Sequence, residues 1–202
     1  RVFPAFSRST NLRDFISFAK PECMGEIRTF VAIPVEGIFD LELWAGALQN
    51  RQGSARIKWN PPHQWHLTLK FIGDVDENEL ETLRKSLGNA LKGFPAGDVV
   101  FEGSGFFGHP DAPKVIWAGV RPNDYLDRLK RKVEEGVSVL DLPYDDRSFR
   151  PHLTLGRIKK IKDPAHLTRE VEKKRETFWG EEPVDHVTLF KSKLTSNGPV
   201  YS

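Results

Sequence analysis

His66-Leu67-Thr68-Leu69 recurs, letter for letter, as His152-Leu153-Thr154-Leu155. On a β-strand, residues i and i+2 point to the same face. Each copy therefore places a His and a Thr on one side and two Leu on the other. The leucines suit a packed core, and the His/Thr side suits a polar cleft. Two imidazoles on one cleft can act as a paired general acid and base near neutral pH.

Working outward, similar elements surround both copies. Ile27–Ile33 is rich in β-branched and aromatic residues and is closed by Pro34, so it reads as a strand. A helix follows over 36–49, with Ile38, Leu41, Leu43, Trp44 and Leu48 on its apolar stripe and Gly53 beyond its end. Arg56–Trp59 reads as a short strand and Asn60-Pro61-Pro62 as a loop. The first motif strand spans 66–72. Asp76 with Glu79 then resembles a capping box opening a helix with Leu80, Leu83, Leu87 and Leu91 on one side. In the second half, 99–101 and 115–120 read as strands and 103–113 as a glycine-rich aromatic loop. Pro122-Asn123 starts a helix striped by Leu126, Leu129, Val133 and Val137. The second motif strand is 149–158. A charged helix over 164–174, a strand over 184–191 and a tail over 194–201 complete the chain. The pattern predicts an α+β fold of two pseudo-symmetric lobes. Each would have an antiparallel sheet and outer helices, and a central cleft would lie between them. Residues 1–24 read as an N-terminal extension to a single domain over 25–202.

Composition narrows the classes. Of 202 residues 39% are apolar, with 14 Phe and 5 Trp, enough for a sizeable core. The net charge of +2 does not require a polyanionic partner. A lone cysteine, Cys23, allows neither an internal disulfide nor a cysteine-based metal site. No run reaches membrane-spanning length, and the first residues make a poor secretory signal. A cytoplasmic monomer without cofactor or metal is the expectation. A metal site would need carboxylates or cysteines at ligand spacing, and neither motif strand carries an acid on its His/Thr face. No G-x-S-x-G elbow occurs, and Gly103-Ser104-Gly105 lacks the lysine and setting of a phosphate-binding loop. His186-Val187-Thr188-Leu189 shares the H-x-T-x form but lies outside the half-to-half repeat. His63, His109 and His166 are read as structural or surface histidines.

Five stretches in order carry a resemblance: FVAI at 30–33, HLTLKFIGD at 66–74, VIWAG at 115–119, FRPHLTLGRI at 149–158 and LFKSKLTSNGPVY at 189–201. Together they resemble the two-histidine (2H) phosphoesterases, and among them the prokaryotic RNA 2′,3′-cyclic phosphodiesterases once described as 2′-5′ RNA ligases. The resemblance implies metal-independent opening of an RNA 2′,3′-cyclic phosphate to a 2′-phosphate. It makes His66 the proton donor and His152 the proton acceptor, roles that two identical motifs cannot distinguish by themselves. Thr68 and Thr154 become hydroxyl donors to phosphate, and Arg157 a basic phosphate contact. Strict alternation from His152 would turn Arg157 away, unless the strand twists or ends near Gly156. By the same alternation Lys70 faces the cleft as a phosphate or substrate contact, with a solvated strand-end lysine as the alternative. Phe30 is a base-stacking candidate, as is Trp59, with a core role for Phe30 as the alternative. Lys159, Lys160, Lys162, Lys191 and Lys193 are read as either a basic rim for RNA or a solvated face. The expected partner is RNA with a cyclic phosphate end, or a cyclic nucleotide. Alternatives are cleavage or joining of a 2′-5′ RNA linkage, and a non-catalytic RNA-binding domain.

Overall fold

The computed structural model describes residues 25–51, 55–142, 148–195 and 198–201. The expected N-terminal extension, the Gly53 helix stop and the polar loop at 145–147 lie outside them. Strands β1 (Ile27–Pro34), β2 (Arg56–Trp59), β3 (His66–Val75), β4 (Gly97–His109), β5 (Ala112–Val120), β6 (His152–Lys160), β7 (Phe178–Val184), β8 (Thr188–Thr195) and β9 (Gly198–Tyr201) alternate with four helices. These are α1 (Phe39–Arg51), α2 (Leu80–Leu91), α3 (Asp124–Val137) and α4 (Pro164–Glu172).

All pairing is antiparallel, in the order β7-β4-β5-β6-β3-β1-β8-β9, with β2 beside β6. The α+β class is as expected, and the repeat is visible as β3-β1-β8 matched by β6-β5-β4. The two halves nevertheless form one sheet. A single residue pair, Leu67 with Leu153, joins β3 to β6. The helices are exchanged between halves. Helix α1 follows β1 but packs on β7 through the stacked rings of Trp44 and Trp179, 5.0 Å apart. Helix α3 follows β5 but packs on α2 and β3. That crossing is close: a Cβ on Gly136 of α3 would sit 2.8 Å from the Leu87 Cα, so only glycine allows this approach.

Most apolar stripes go where their periodicity sends them, but Leu43, expected on the stripe of α1, is 57% exposed because it lies about 200° round the helix from buried Leu41. Leu83 and Leu87 of α2, Leu126, Leu129 and Val133 of α3, and Leu167 and Val171 of α4 are all buried. Leu67, Leu69, Leu153 and Leu155 from the two motifs are buried in the same core. Asn123 caps α3 by accepting from the Leu126 N–H at 2.7 Å. Asp76 caps a short 3₁₀ turn ahead of α2, accepting from the Asn78 N–H.

Two expectations are corrected. The glycine-rich stretch 103–113 is mainly the second half of β4, hairpinned onto β5. Its glycines read as loop signals, but the aromatic residues between them pair across the hairpin. The strand expected over 184–191 is two strands, β7 and β8, broken at Asp185–Val187. Strand β7 begins well before that reading, at Phe178, in a stretch with little alternation.

Candidate active site

The single β3–β6 bridge sets the geometry. With Leu67 opposite Leu153, antiparallel register brings His66 across from Thr154 and Thr68 across from His152. Four polar side chains thus surround a local two-fold. The two histidines occupy its diagonal, which in a regular ladder spans about 7–8 Å. The bridge leucines turn to the core, and the His/Thr face is half-buried.

Each imidazole is anchored alike. His66 Nδ1 lies 2.8 Å from the Gln64 carbonyl, and His152 Nδ1 lies 2.7 Å from the Arg150 carbonyl. A carbonyl only accepts, so each Nδ1 carries the hydrogen, and in the neutral ring the lone pair sits on Nε2. Aromatic rings hold both imidazoles. Phe30 and Phe190, stacked 5.0 Å apart, lie 4.9 and 5.7 Å from His66. Phe107 meets His152 edge-on at 4.8 Å. Phe190 on β8 and Phe107 on β4 hold equivalent register positions in the two halves. Phe107 was hidden in the stretch read as a loop.

Burial lowers the pKa of both histidines below the ordinary value, because the charged ring loses its hydration. The carbonyl at each Nδ1 opposes this, and the Arg157 guanidinium reinforces it at both rings. His66 is lowered further by the charge on His152. Arg157 therefore acts on both histidines, although strict alternation turned it away.

The reason is a β-bulge. Ile116 pairs with Gly156 and Trp117 with Thr154, so Leu155 is an extra residue in β6, and Arg157 returns to the face of His152 and Thr154. Asn60 holds the bulge. Its N–H donates to the Leu155 carbonyl at 2.8 Å, and its side-chain amide donates to the Thr154 carbonyl at 2.9 Å. The residue read only as a loop is thus a support for the motif. Strand β3 carries the matching bulge at Leu69, because Val31 pairs with Lys70 and Ala32 with Thr68. Lys70 consequently corresponds to Gly156, and Phe71 to Arg157.

The other sites fall into place from this. Alternation assigns Lys70 to the cleft, but the bulge pairs it with core-facing Val31 and turns it off the His/Thr face; it edges a groove of about 190 Å³ lined also by Thr68, Phe71, Lys130, Glu134 and His152. Phe71 is 57% exposed there and presents an aromatic face that alternation alone did not reveal. Phe30, at 3% exposure, packs against His66 and has almost no face left for a base. Trp59 is half-buried, laid across Gly156 and packed on the core. His186 is exposed and lies 2.5 Å from Asp185. Among the described residues, no three of His, Cys, Asp or Glu gather as a metal site, and no helix is long and apolar enough to cross a membrane.

Comparison with known proteins bears on this arrangement. The model of the 2′-5′ RNA ligase superfamily matches residues 39–195. A protein of Archaeoglobus fulgidus named RNA 2′,3′-cyclic phosphodiesterase is 34% identical over 175 residues, covering 87% of this chain and 96% of its own. One of the same name from Methanothermobacter thermautotrophicus is 30% identical over 181 residues, covering 88% and 96%. The crystal structure of TT0787 of Thermus thermophilus superposes with a TM-score of 0.69 at 28% identity, over 87% of this chain and 93% of that one. Escherichia coli LigT in complex with 3′-AMP superposes with a TM-score of 0.65 at 20% identity, over 88% and 94%, and so shares the fold.

Proposed function

The chain belongs to the 2′-5′ RNA ligase superfamily of 2H phosphoesterases, and on that premise we propose that it hydrolyses RNA 2′,3′-cyclic phosphate ends to 2′-phosphates by paired-histidine catalysis without metal. One observation carries this reading. Two histidines, each fixed in the same tautomer by a backbone carbonyl, face one another diagonally beside two threonines and an arginine. The relatives' names supply the substrate class.

The chemistry requires a water activated on one side of phosphorus and the departing 3′ oxygen protonated on the other. A neutral histidine offers its Nε2 lone pair to the water, and a protonated one offers its Nε2–H to the 3′ oxygen. Following the family resemblance, His66 is the donor and His152 the acceptor. As water adds, negative charge grows on the non-bridging oxygens. The hydroxyls of Thr68 and Thr154 donate to those oxygens, and the Arg157 guanidinium offsets their charge. The exposed ring of Phe71 serves as the stacking surface for the terminal base.

The reading needs no metal, because two imidazoles supply both proton transfers, and among the described residues no three of His, Cys, Asp or Glu gather as a metal site. The test is turnover of a nucleoside 2′,3′-cyclic phosphate in excess chelator, with the product identified as the 2′-phosphate. His66→Ala and His152→Ala should each lower the rate by about 10²–10⁴. Activity within a few fold of wild type in either variant, or dependence on an added divalent ion, would sink the assignment.

A further inference from the structure

Strand β2 pairs with the outer part of β6, just past Arg157, in an unusual register. Lys58 lies directly opposite Arg157, and Arg56 directly opposite Lys160. Cross-strand partners share a face, and so do Arg56 and Lys58, two apart on one strand. Their neighbours Ile57 and Ile158 face the core instead. Four cations therefore stand together on the face of the sheet that carries His152 and Thr154. Like charges directly opposite each other destabilise a strand pair. Elsewhere some cations are paired with acids, among them Arg28, Arg84 and Arg121, and others are not; what sets these four apart is that like charges stand directly opposite one another. Among the described residues, no carboxylate within ion-pair distance offsets any of the four in the ladder.

The charge continues beyond the ladder. Lys114, Arg157, Lys159 and Lys160 line an open groove of about 610 Å³ where β5 and β6 diverge. Its one carboxylate, Asp111, lies 3.4 Å from His109 Nδ1. Successive same-face residues on a strand are roughly 7 Å apart, comparable to the step between phosphates of an extended single strand. Arg157 belongs to both the cleft and this ladder, so the basic path begins at the reacting phosphate and leads away from it. Phe71 lies on the other half of the sheet, towards the other mouth of the cleft.

We propose that Arg56, Lys58 and Lys160, with the adjoining groove, form a track for the sugar-phosphate backbone upstream of the reacting end. The preferred substrate is then a single-stranded RNA several nucleotides long rather than a cyclic mononucleotide. The proposal rests on the cyclic-phosphate reading of the cleft and specifies the substrate of that cleft. A polyanion held here would relieve the like-charge ladder that the bare fold leaves uncompensated.

The experiment compares a nucleoside 2′,3′-cyclic phosphate with an RNA of about 12 nucleotides carrying the same end, using wild type and the Arg56→Ala/Lys58→Ala/Lys160→Ala variant. Wild type should favour the RNA in kcat/KM by at least about tenfold. The variant should lose that preference and keep its rate on the mononucleotide. In parallel, fluorescence anisotropy with the same RNA measures the slope of log affinity against log salt. That slope should become shallower by about 2, since each phosphate contact on a single strand contributes about 0.7. Equal kcat/KM on both substrates in wild type, or a length preference and salt slope unchanged in the variant, would overturn the track. Absence of turnover on both substrates would overturn the catalytic reading instead, and the anisotropy slope would still decide the track. Thermal unfolding separates folding failure from lost binding: relief of like-charge repulsion should leave the variant at least as stable as wild type.

Discussion

Replacing Arg157 with alanine separates two effects that the bulge in β6 unites. In the proposed mechanism Arg157 offers a fork of donors to phosphate, and its charge adds to the burial that lowers the pKa of both histidines. Loss of a charge-stabilising donor of this kind costs about 10²–10³ in rate. Arg157 is exposed in the free cleft, where water competes for it, so about 10² is the expected loss in kcat/KM. The charge effect has its own sign. The acid limb of a kcat/KM profile reports the base, which must be neutral, and the alkaline limb reports the acid, which must be protonated. A nearby cation disfavours protonation at both rings, so removing it raises both pKa values. The whole bell should therefore move to higher pH in Arg157→Ala. Arg157→Lys keeps the charge but not the planar fork. It should leave the bell near its wild-type position while still losing much of the rate. The assay is kcat/KM on a cyclic mononucleotide from about pH 5 to 9. An Arg157→Ala profile that stays in place with a rate within a few fold of wild type would refute the placement of Arg157 at the phosphate.

Other consequences follow from the same contacts. Both histidines are held below 6.5 by burial, so as pH falls through 6.5 the unfolded chain takes up protons that the folded chain refuses. Stability is thus full above that pH and declines below it; urea midpoints should fall from pH 8 to about 5, and by less in a His66→Ala/His152→Ala variant. Phe30→Ala removes a ring with 3% exposure that packs on His66 and Phe190. It should cost about 3–5 kcal/mol by denaturant titration, whereas retained stability would mean that the ring is not part of the packed wall. Asn60→Ala leaves the Thr154 carbonyl without its side-chain donor, a loss of about 1–3 kcal/mol that should also lower kcat through a displaced Thr154. A variant equal to wild type in both would show that the bulge needs no support from this loop.

The strand period was enough to find the centre of this molecule. Leu67, Leu69, Leu153 and Leu155 are buried and the histidines lie on the opposite face because period 2 is local physics. Apart from Leu43, the helix stripes were legible for the same reason. What escaped was longer in range. The pairing of 103–109 with β5 depends on a partner strand, and the glycines there gave a local signal for a loop. The exchange of α1 and α3 between halves leaves no trace in spacing, since each stripe fits either half. The bulges were invisible too, because an inserted residue shows only against the neighbouring strand.

That last point explains how two identical tetrapeptides make an asymmetric site. Both motif strands bulge at the same leucine, so the halves remain superposable through Lys70 and Gly156 to Phe71 and Arg157. Counting by twos made Lys70 the inward residue of one half and lost Arg157 in the other. Counting across the bulge pairs an exposed aromatic with a cation at equivalent positions. The differences do not stop there. Val115 stands where β1 has Phe30, so the wall behind His152 lacks the second ring that encloses His66. The His66 ring is thereby more completely desolvated, and desolvation is the largest cause of its lowered pKa. In the free protein a single shared proton should then rest mainly on His152. If His66 is the donor, as proposed, the bound phosphate must draw the proton across to it. A ¹⁵N-imidazole titration should show His152 protonating at higher pH than His66 without ligand, with that order narrowed or reversed by a bound phosphate analogue. Protonation of His66 first in the free protein would refute this account of the asymmetry.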